Sequence, residues 1–140
     1  MRMFLFASFI LAGCYTQIDR SSAPYLSHRN APLYRAYSVN SGDEVDYPSS
    51  GSYYRFKFMS ATDPIEHIDL MLSDLYSRGF NVTRAWYRSP GSRNRTIISA
   101  LLVIHLSERN PDMERFNFQE IPALKRGHGI GATSIYVPDN

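Results

Sequence analysis

Few side chains in this sequence could carry out nucleophilic or acid–base chemistry, and they are scattered. The four histidines are His28, His67, His105 and His128, and no two of them have metal-ligand spacing. Ser99 and His105 fall on one face of a predicted strand, as the nucleophile and base of a hydrolase would. No nearby carboxylate completes that triad. We therefore expect His105 to be an ordinary hydrogen-bonded histidine and predict no catalytic residue, with a hydrolase built from dispersed residues as the alternative.

A second group of side chains could bind a partner rather than catalyse a reaction. Residues 75–107 contain five arginines and no carboxylate. Arg84, Trp86 and Arg88 alternate along one predicted strand, which places the indole ring between two guanidinium groups. Arginine and tryptophan are the residues most enriched at binding hot spots, and arginine pairs readily with carboxylate and phosphate oxygens.

Arg93 and Arg95 extend this candidate binding surface into the predicted hairpin loop that follows the strand. An acidic protein, lipopolysaccharide or peptidoglycan would fit such a surface. The alternative is a solvated sheet face on which arginine stems cover Trp86. Arginine outnumbers lysine 13 to 2 in the whole chain, which weakens any claim special to this hairpin.

Strands and one helix must position these side chains. The alternation of residues predicts an α+β fold in the order β-α-β-β-(short α)-β, with a small antiparallel sheet and one main helix packed on one face. The third strand is apolar on both faces, which predicts a central position in the sheet. The predicted strands cover residues 53–59, 80–88, 96–106 and 132–137, and the predicted helices cover about 64–78 and 110–116.

The signals for the main helix are a start at Asp63-Pro64 with Glu66 in a capping box, and a stop at Gly79. Leu70 stands apart among the polar residues of this helix, and we regard it as a candidate partner contact. The apolar stripe at helical spacing consists of Ile65, Ile68, Met71, Leu72, Leu75 and Tyr76.

Composition limits the class of protein. The chain has 140 residues, of which 44% are hydrophobic and 20% are charged, values typical of one globular domain. A net charge of +2 is too small for a general nucleic-acid binder. The single cysteine excludes an internal disulfide framework and any multi-cysteine metal site, and we expect neither a metal nor another cofactor.

The amino terminus has the order of features found in an export signal. Arg2 precedes an apolar run over residues 3–12, which is far shorter than the ~20 residues of a spanning helix. The small residue Gly13 and the only cysteine, Cys14, follow directly. The alternatives are an ordinary secretory signal or a buried apolar strand with Cys14 as an inert thiol.

The segment Leu11-Ala12-Gly13-Cys14 resembles the lipobox of bacterial lipoproteins. The resemblance implies cleavage between Gly13 and Cys14, and a diacylglycerol on the Cys14 thiol that anchors the protein in a membrane. In enteric bacteria an aspartate after the cysteine commonly retains lipoproteins in the inner membrane. Tyr15 at that position therefore favours the outer membrane, facing the periplasm or the cell surface.

The sequence thus divides into a signal peptide over 1–13, a lipidated cysteine with a flexible tether over 14–52, and one α+β domain over 53–140. The tether has no sustained periodicity. A short strand around Leu33–Val39 and packing of the tether tyrosines on the domain are the alternatives.

Two classes of function follow from these observations. The first is a non-enzymatic envelope lipoprotein that binds a protein, such as a subunit of a secretion or conjugation assembly or an immunity or exclusion factor. The second is a periplasmic hydrolase, and a binder of lipid or cell-wall glycan is a third, weaker candidate. Nothing in the sequence points to nucleic acid as a partner.

The lipobox is tested by replacing the Cys14 thiol. We expect Cys14→Ser to leave an uncleaved or soluble chain, because no thioether can form without the sulfur atom. The measurement is incorporation of labelled palmitate together with membrane fractionation, with the unmodified chain as control. Labelling and membrane association that survive the substitution would contradict the resemblance.

Overall fold

A computed structural model describes residues 31–40, 42–57 and 62–139 of this chain. The predicted signal peptide, Cys14 and the first part of the predicted tether lie outside these residues. The elements in chain order are β1 (Leu33–Ser38), β2 (Ser52–Phe56), α1 (Ile68–Ser77), β3 (Val82–Arg88), β4 (Gly91–Arg93), β5 (Thr96–Ile98), β6 (Leu101–Leu106), a 3-10 helix (Pro111–Phe116), β7 (Phe118–Ile121) and β8 (Ser134–Asp139).

One antiparallel sheet of six strands organises the described residues. Its order is β1-β8-β3-β6-β2-β7, so β3 and β6 lie at the centre and β1 and β7 form the two edges. Every pairing in the sheet is antiparallel. The α+β class with an antiparallel sheet is therefore correct, while β1 and β7 add strands that the predicted order did not contain.

The predicted third strand is interrupted. Only β6, its second half, belongs to the main sheet, whereas β5 pairs with β4 in a separate two-stranded hairpin. Arg93 pairs with Thr96, which leaves the two-residue loop Asn94-Arg95 with φ of +49° and +66°. Positive φ at both loop residues is typical of the tight type I′ turn, whose twist suits a two-stranded hairpin.

Helix α1 begins four residues later than the capping signals predict. Ile65 is buried, and its backbone N–H donates to the Tyr87 hydroxyl at 3.1 Å, which holds this segment in a non-helical path. His67 then has φ +57°, a left-handed conformation that a helix cannot pass through. The predicted stop is confirmed, because Gly79 has φ +99°.

Two residues on the predicted polar side of α1, Ser73 and Asp74, are buried, so fewer of its residues face solvent than the sequence predicts. The Ser73 hydroxyl is buried and donates to the Pro32 carbonyl at 2.8 Å, next to β1. The Asp74 carboxylate is buried and pairs with Arg78 Nε at 3.0 Å. The Arg78 guanidinium also lies 5.4 Å from the centre of the Phe116 ring, in the 3-10 helix. Chain segments on both sides of α1 therefore fix its position on the sheet.

The two faces of the sheet bury separate apolar clusters. The larger one lies under α1 and combines helix residues such as Leu72 and Leu75 with strand residues such as Leu102 and Ile104. The smaller one lies on the opposite face, where no helix of the described chain packs. It centres on the buried residues Tyr53, Trp86 and Val103, and its partly buried members are Val45, Tyr47, Leu101, Ile121, Leu124, Ile130, Ala132 and Ile135.

Much of the predicted tether belongs to the domain. Strand β1 pairs with β8 along its full length. Tyr34 of β1 is buried among the residues under α1, and its hydroxyl donates to the Val82 carbonyl at 2.5 Å. Burial raises the pKa of this phenol well above its ordinary value of 10.0. Apolar burial and strand pairing therefore continue back to β1, on the tether side of the boundary predicted at residue 52.

A pair of tyrosines on β1 tests this boundary. Tyr34→Ala removes a ring that is 5% exposed, whereas Tyr37→Ala removes one that is 53% exposed. We expect the first to lower the free energy of unfolding by about 3–5 kcal/mol and the second to change it by less than about 0.5 kcal/mol. Urea unfolding at one low protein concentration measures both, and two equally small effects would contradict the assignment of β1 to the domain.

Candidate functional site

The Arg84–Trp86–Arg88 face exists, but its central indole is not accessible. Trp86 has no exposed surface, against the expectation of an exposed binding residue. The Tyr53 ring stacks on it with 5.5 Å between centroids and 23° between planes, and the Tyr47 ring lies 5.0 Å away. Burial raises the pKa of both tyrosine hydroxyls. Arg84, Trp86 and Arg88 do share one face of β3, after an irregularity in the register between Val82 and Arg84, but this face is covered.

Two chain segments that the sequence marked as irregular cover this indole. They are residues 42–50 before β2 and residues 122–133 before β8, and both contribute side chains to the cluster around Trp86. Arg126 of the second segment bonds to Glu44 at 3.1 Å and to Asp46 at 2.6 Å in the first. The hydrogen bond from Arg126 lowers the pKa of the Asp46 carboxyl. These exposed ion pairs join the two segments over the sheet.

Of the two arginines beside Trp86, Arg88 is engaged in holding the fold together. Arg88 is half-buried, and its guanidinium donates to the carbonyls of Ser99 at 3.0 Å and Ile130 at 3.3 Å. Arg88 thereby ties the residues between β5 and β6 to the segment that covers Trp86. Arg84 is also only partly exposed. The predicted binding surface is therefore corrected to a covered face of the sheet.

The remaining candidate contacts do not join this face. Arg93 and Arg95 are exposed in the β4–β5 hairpin, which is separate from the main sheet. Leu70 is half-buried on α1, on the other side of the sheet from Trp86. The fold thus separates the candidate binding residues that lie close together in the sequence. Among them, only Arg93 and Arg95 are fully exposed.

His105 has a structural role that occupies both ring nitrogens. Its Nε2 lies 2.5 Å from the Ser50 carbonyl, which can only accept, so Nε2 carries the proton. Nδ1 then accepts from the Thr83 hydroxyl. The ring is 4% exposed and packs edge-on against Tyr53. With both nitrogens engaged, His105 offers no base to Ser99.

Within residues 31–40, 42–57 and 62–139, no helix has the length and hydropathy of a membrane-spanning segment. The same ranges contain no group of three or more histidine, cysteine or acidic side chains arranged to hold a metal ion.

The outer edge of β1 is a surface that the sequence analysis did not propose as a site. Leu33 and Tyr37 are 51% and 53% exposed, although both belong to a strand of the sheet. Among the described residues, β1 pairs with β8 on one side and with no strand on the other. A short alternation at Leu33–Val39 was the only local signal of this strand.

The backbone hydrogen bonds show which groups of this edge are unpaired by the sheet. The N–H of Val39 donates to the Thr133 carbonyl at 2.9 Å, and the ladder continues from there into the β1–β8 register. In an antiparallel pair the backbone groups of alternate residues point toward the partner strand. The backbone N–H and C=O groups of the odd-numbered residues of β1 therefore point toward β8. Those of Tyr34, Ala36 and Ser38 point outward.

Comparison of the whole chain with protein-family models, with curated proteins and with solved structures finds no match.

The burial of Trp86 gives a direct test of whether this face is core or docking surface. We expect Trp86→Ala to lower the free energy of unfolding by about 3–5 kcal/mol, because it leaves a cavity between Tyr47 and Tyr53. Arg93→Ala, in the exposed hairpin, is the control and should change stability by less than about 0.5 kcal/mol. Thermal and urea unfolding measure both, and a negligible loss for Trp86→Ala would restore the docking interpretation.

Proposed function

We propose that this chain is a lipid-anchored envelope protein that binds a protein partner by adding a strand at the outer edge of β1. The observation that carries the proposal is that, among the described residues, no strand pairs with the outer edge of β1, beside which Leu33 and Tyr37 are exposed. The lipid on Cys14 is the sequence-based part of the proposal and rests on the lipobox resemblance.

An edge strand with outward-pointing N–H and C=O groups is a template for a further strand. In strand addition the main-chain hydrogen bonds supply affinity, and alternate side chains supply specificity. Soluble proteins commonly protect such edges with proline, lysine, a bulge or a covering segment. Strand β1 contains neither proline nor lysine, and its register with β8 has no bulge. The β1 edge therefore favours pairing with another polypeptide.

The side chains next to this edge suit a protein surface. Leu33 and Tyr37 lie on the same side of β1, with Arg35 between them. Arg35 donates to the Asp139 carboxylate at 2.6 Å, and both side chains remain exposed. Leu33 and Tyr37 therefore present apolar surface on either side of a cation that a bound strand can contact.

The proposed anchor and the proposed docking edge are compatible in length. Residues 15–32 separate Cys14 from β1, and an extended chain of this length reaches ~60 Å at about 3.3 Å per residue. Two or three acyl chains hold a protein on a membrane far longer than one. A domain on such an anchor meets envelope proteins at the membrane surface, and Tyr15 favours the outer membrane as the location. A secretion or conjugation assembly, or an immunity or exclusion complex, is the class of partner we propose.

The test places a photo-reactive phenylalanine analogue at Tyr37 in the full chain, expressed in cells that export it. We expect discrete adducts at position 37, and we expect Ala36→Pro to remove them because it deletes an outward N–H that a docked strand would use. The β8 ladder should survive, since the backbone groups of Ala36 point away from β8.

The other sheet edge supplies the matched control. Lys57 N–H donates to the Asn117 carbonyl at 2.8 Å, so by the same alternation the N–H of Glu120 points outward from β7. Glu120→Pro should leave the adducts at position 37 unchanged. Thermal melts confirm that both proline variants are folded. An absence of adducts at position 37, or equal loss in both variants, would contradict strand addition at β1.

A further inference from the structure

We infer that the strand bound at this edge is β1 of a second copy of this chain, in an antiparallel pair with a two-fold axis through Ala36. The inference rests on the proposed strand addition and names its partner. Such a pair would join the two six-stranded sheets into one continuous sheet.

The backbone of β1 fits this register. With the axis at Ala36, the outward N–H and C=O groups of Ala36 face those of Ala36 in the second copy. The outward backbone groups of Tyr34 face those of Ser38 in the second copy, and the outward groups of Ser38 face those of Tyr34 in the second copy. Each hydrogen-bonded pair exchanges two bonds, so the register forms about six N–H···O=C bonds between the chains. All outward groups of the strand are used.

The side chains fit the same register. Arg35 lies opposite Tyr37 of the second copy, and Leu33 lies opposite Val39. These are non-hydrogen-bonded pairs, in which facing side chains approach most closely. A guanidinium beside a tyrosine ring is favourable, and the symmetry forms this contact twice. The small Ala36 side chain at the axis lets the strands approach without a collision on the helix side.

Neighbouring registers are less favourable. An axis at Arg35 places two guanidinium groups directly opposite each other, and like charges facing across a strand pair are destabilising. An axis at Tyr37 pairs Arg35 with Val39 and leaves the outward groups of Tyr34 opposite Asn40, beyond the strand. The sequence of β1 thus selects one self-complementary register.

The outer edge of β1 is accessible, since Ala36 and Ser38 are exposed on the side of the strand that faces α1. The helix contacts the chain just before β1 through the Ser73–Pro32 bond, and it turns its other flank toward the 3-10 helix through Arg78 and Phe116. Confinement to a membrane by the proposed lipid would raise the local concentration of second copies. In this antiparallel pair the two copies of Leu33 lie at opposite ends, ~20 Å apart. Residues 15–32 of each chain are long enough to connect both of these ends to the same membrane surface.

The register is tested by single cysteine substitutions in the full chain, oxidised in isolated membranes with copper phenanthroline. Ala36→Cys places two thiols across the axis at a Cα separation of about 5.5 Å, which a disulfide spans. Ser38→Cys is the matched control on the same exposed edge, because its two copies lie ~14 Å apart in this register. The unmodified chain controls for Cys14.

We expect the Ala36→Cys variant to give a disulfide-linked species of twice the chain mass and the Ser38→Cys variant to give none. Equal cross-linking in both variants would show random collision and overturn the inference. Absence of the linked dimer in the Ala36→Cys variant would also overturn it. The proposed strand addition would still stand if position 37 kept its proline-sensitive adducts with a different protein, and it would fall with the inference if those adducts were missing too.

Discussion

Strand β6 is apolar on both of its faces, and this requires cover on both sides of the sheet. Leu102, Ile104 and Leu106 are buried under α1, while Val103 is buried on the opposite face. Burying each such side chain contributes about 1.5–3 kcal/mol, so neither face can stay open to water at low cost. The helix provides the first cover. Irregular chain must provide the second, and most other features of the domain follow from that requirement.

Irregular segments make a stable cover only when several contacts fix them. Tyr53 donates to the Pro48 carbonyl at 2.5 Å, and His105 holds the Ser50 carbonyl at the same distance. Gly51 has φ +90°, and a Cβ there would collide with the His105 ring and the Leu106 carbonyl. Only glycine therefore allows the chain to pass so close to β6. His105 and Trp86, which look like functional residues in isolation, are parts of this cover and of the surface beneath it.

The same cover explains why exposed apolar side chains of the main sheet lie at its edge. The segments 42–50 and 122–133 cluster over the centre of the sheet, around Trp86 and Val103. Leu33 and Tyr37, on β1 at the rim, stay half exposed beyond them. This edge strand presents apolar side chains and outward backbone groups, which suit recognition of another polypeptide strand more than binding of a small molecule. The proposed lipid anchor is consistent with such a partner at a membrane.

The sequence by itself determined the features that depend on neighbours along the chain. Alternation in residues 80–88 predicted β3 and placed Arg84, Trp86 and Arg88 on one face, because successive side chains of a strand point to opposite sides. The same local chemistry identified the glycine stop of α1 and the part of its apolar stripe that packs on the sheet, although Tyr76 of the predicted stripe is exposed. The resemblance to a lipobox is likewise read from four consecutive residues. Tertiary structure decided what depends on residues far apart. Trp86 is core because Tyr47 and residues 122–133 cover it, and α1 starts late because Tyr87 holds the backbone of Ile65. Strand β1 forms because β8, about a hundred residues later, supplies its hydrogen-bond partners. Local spacing carries no information about such partners, since exposure and strand pairing are set by which distant segments the chain brings together.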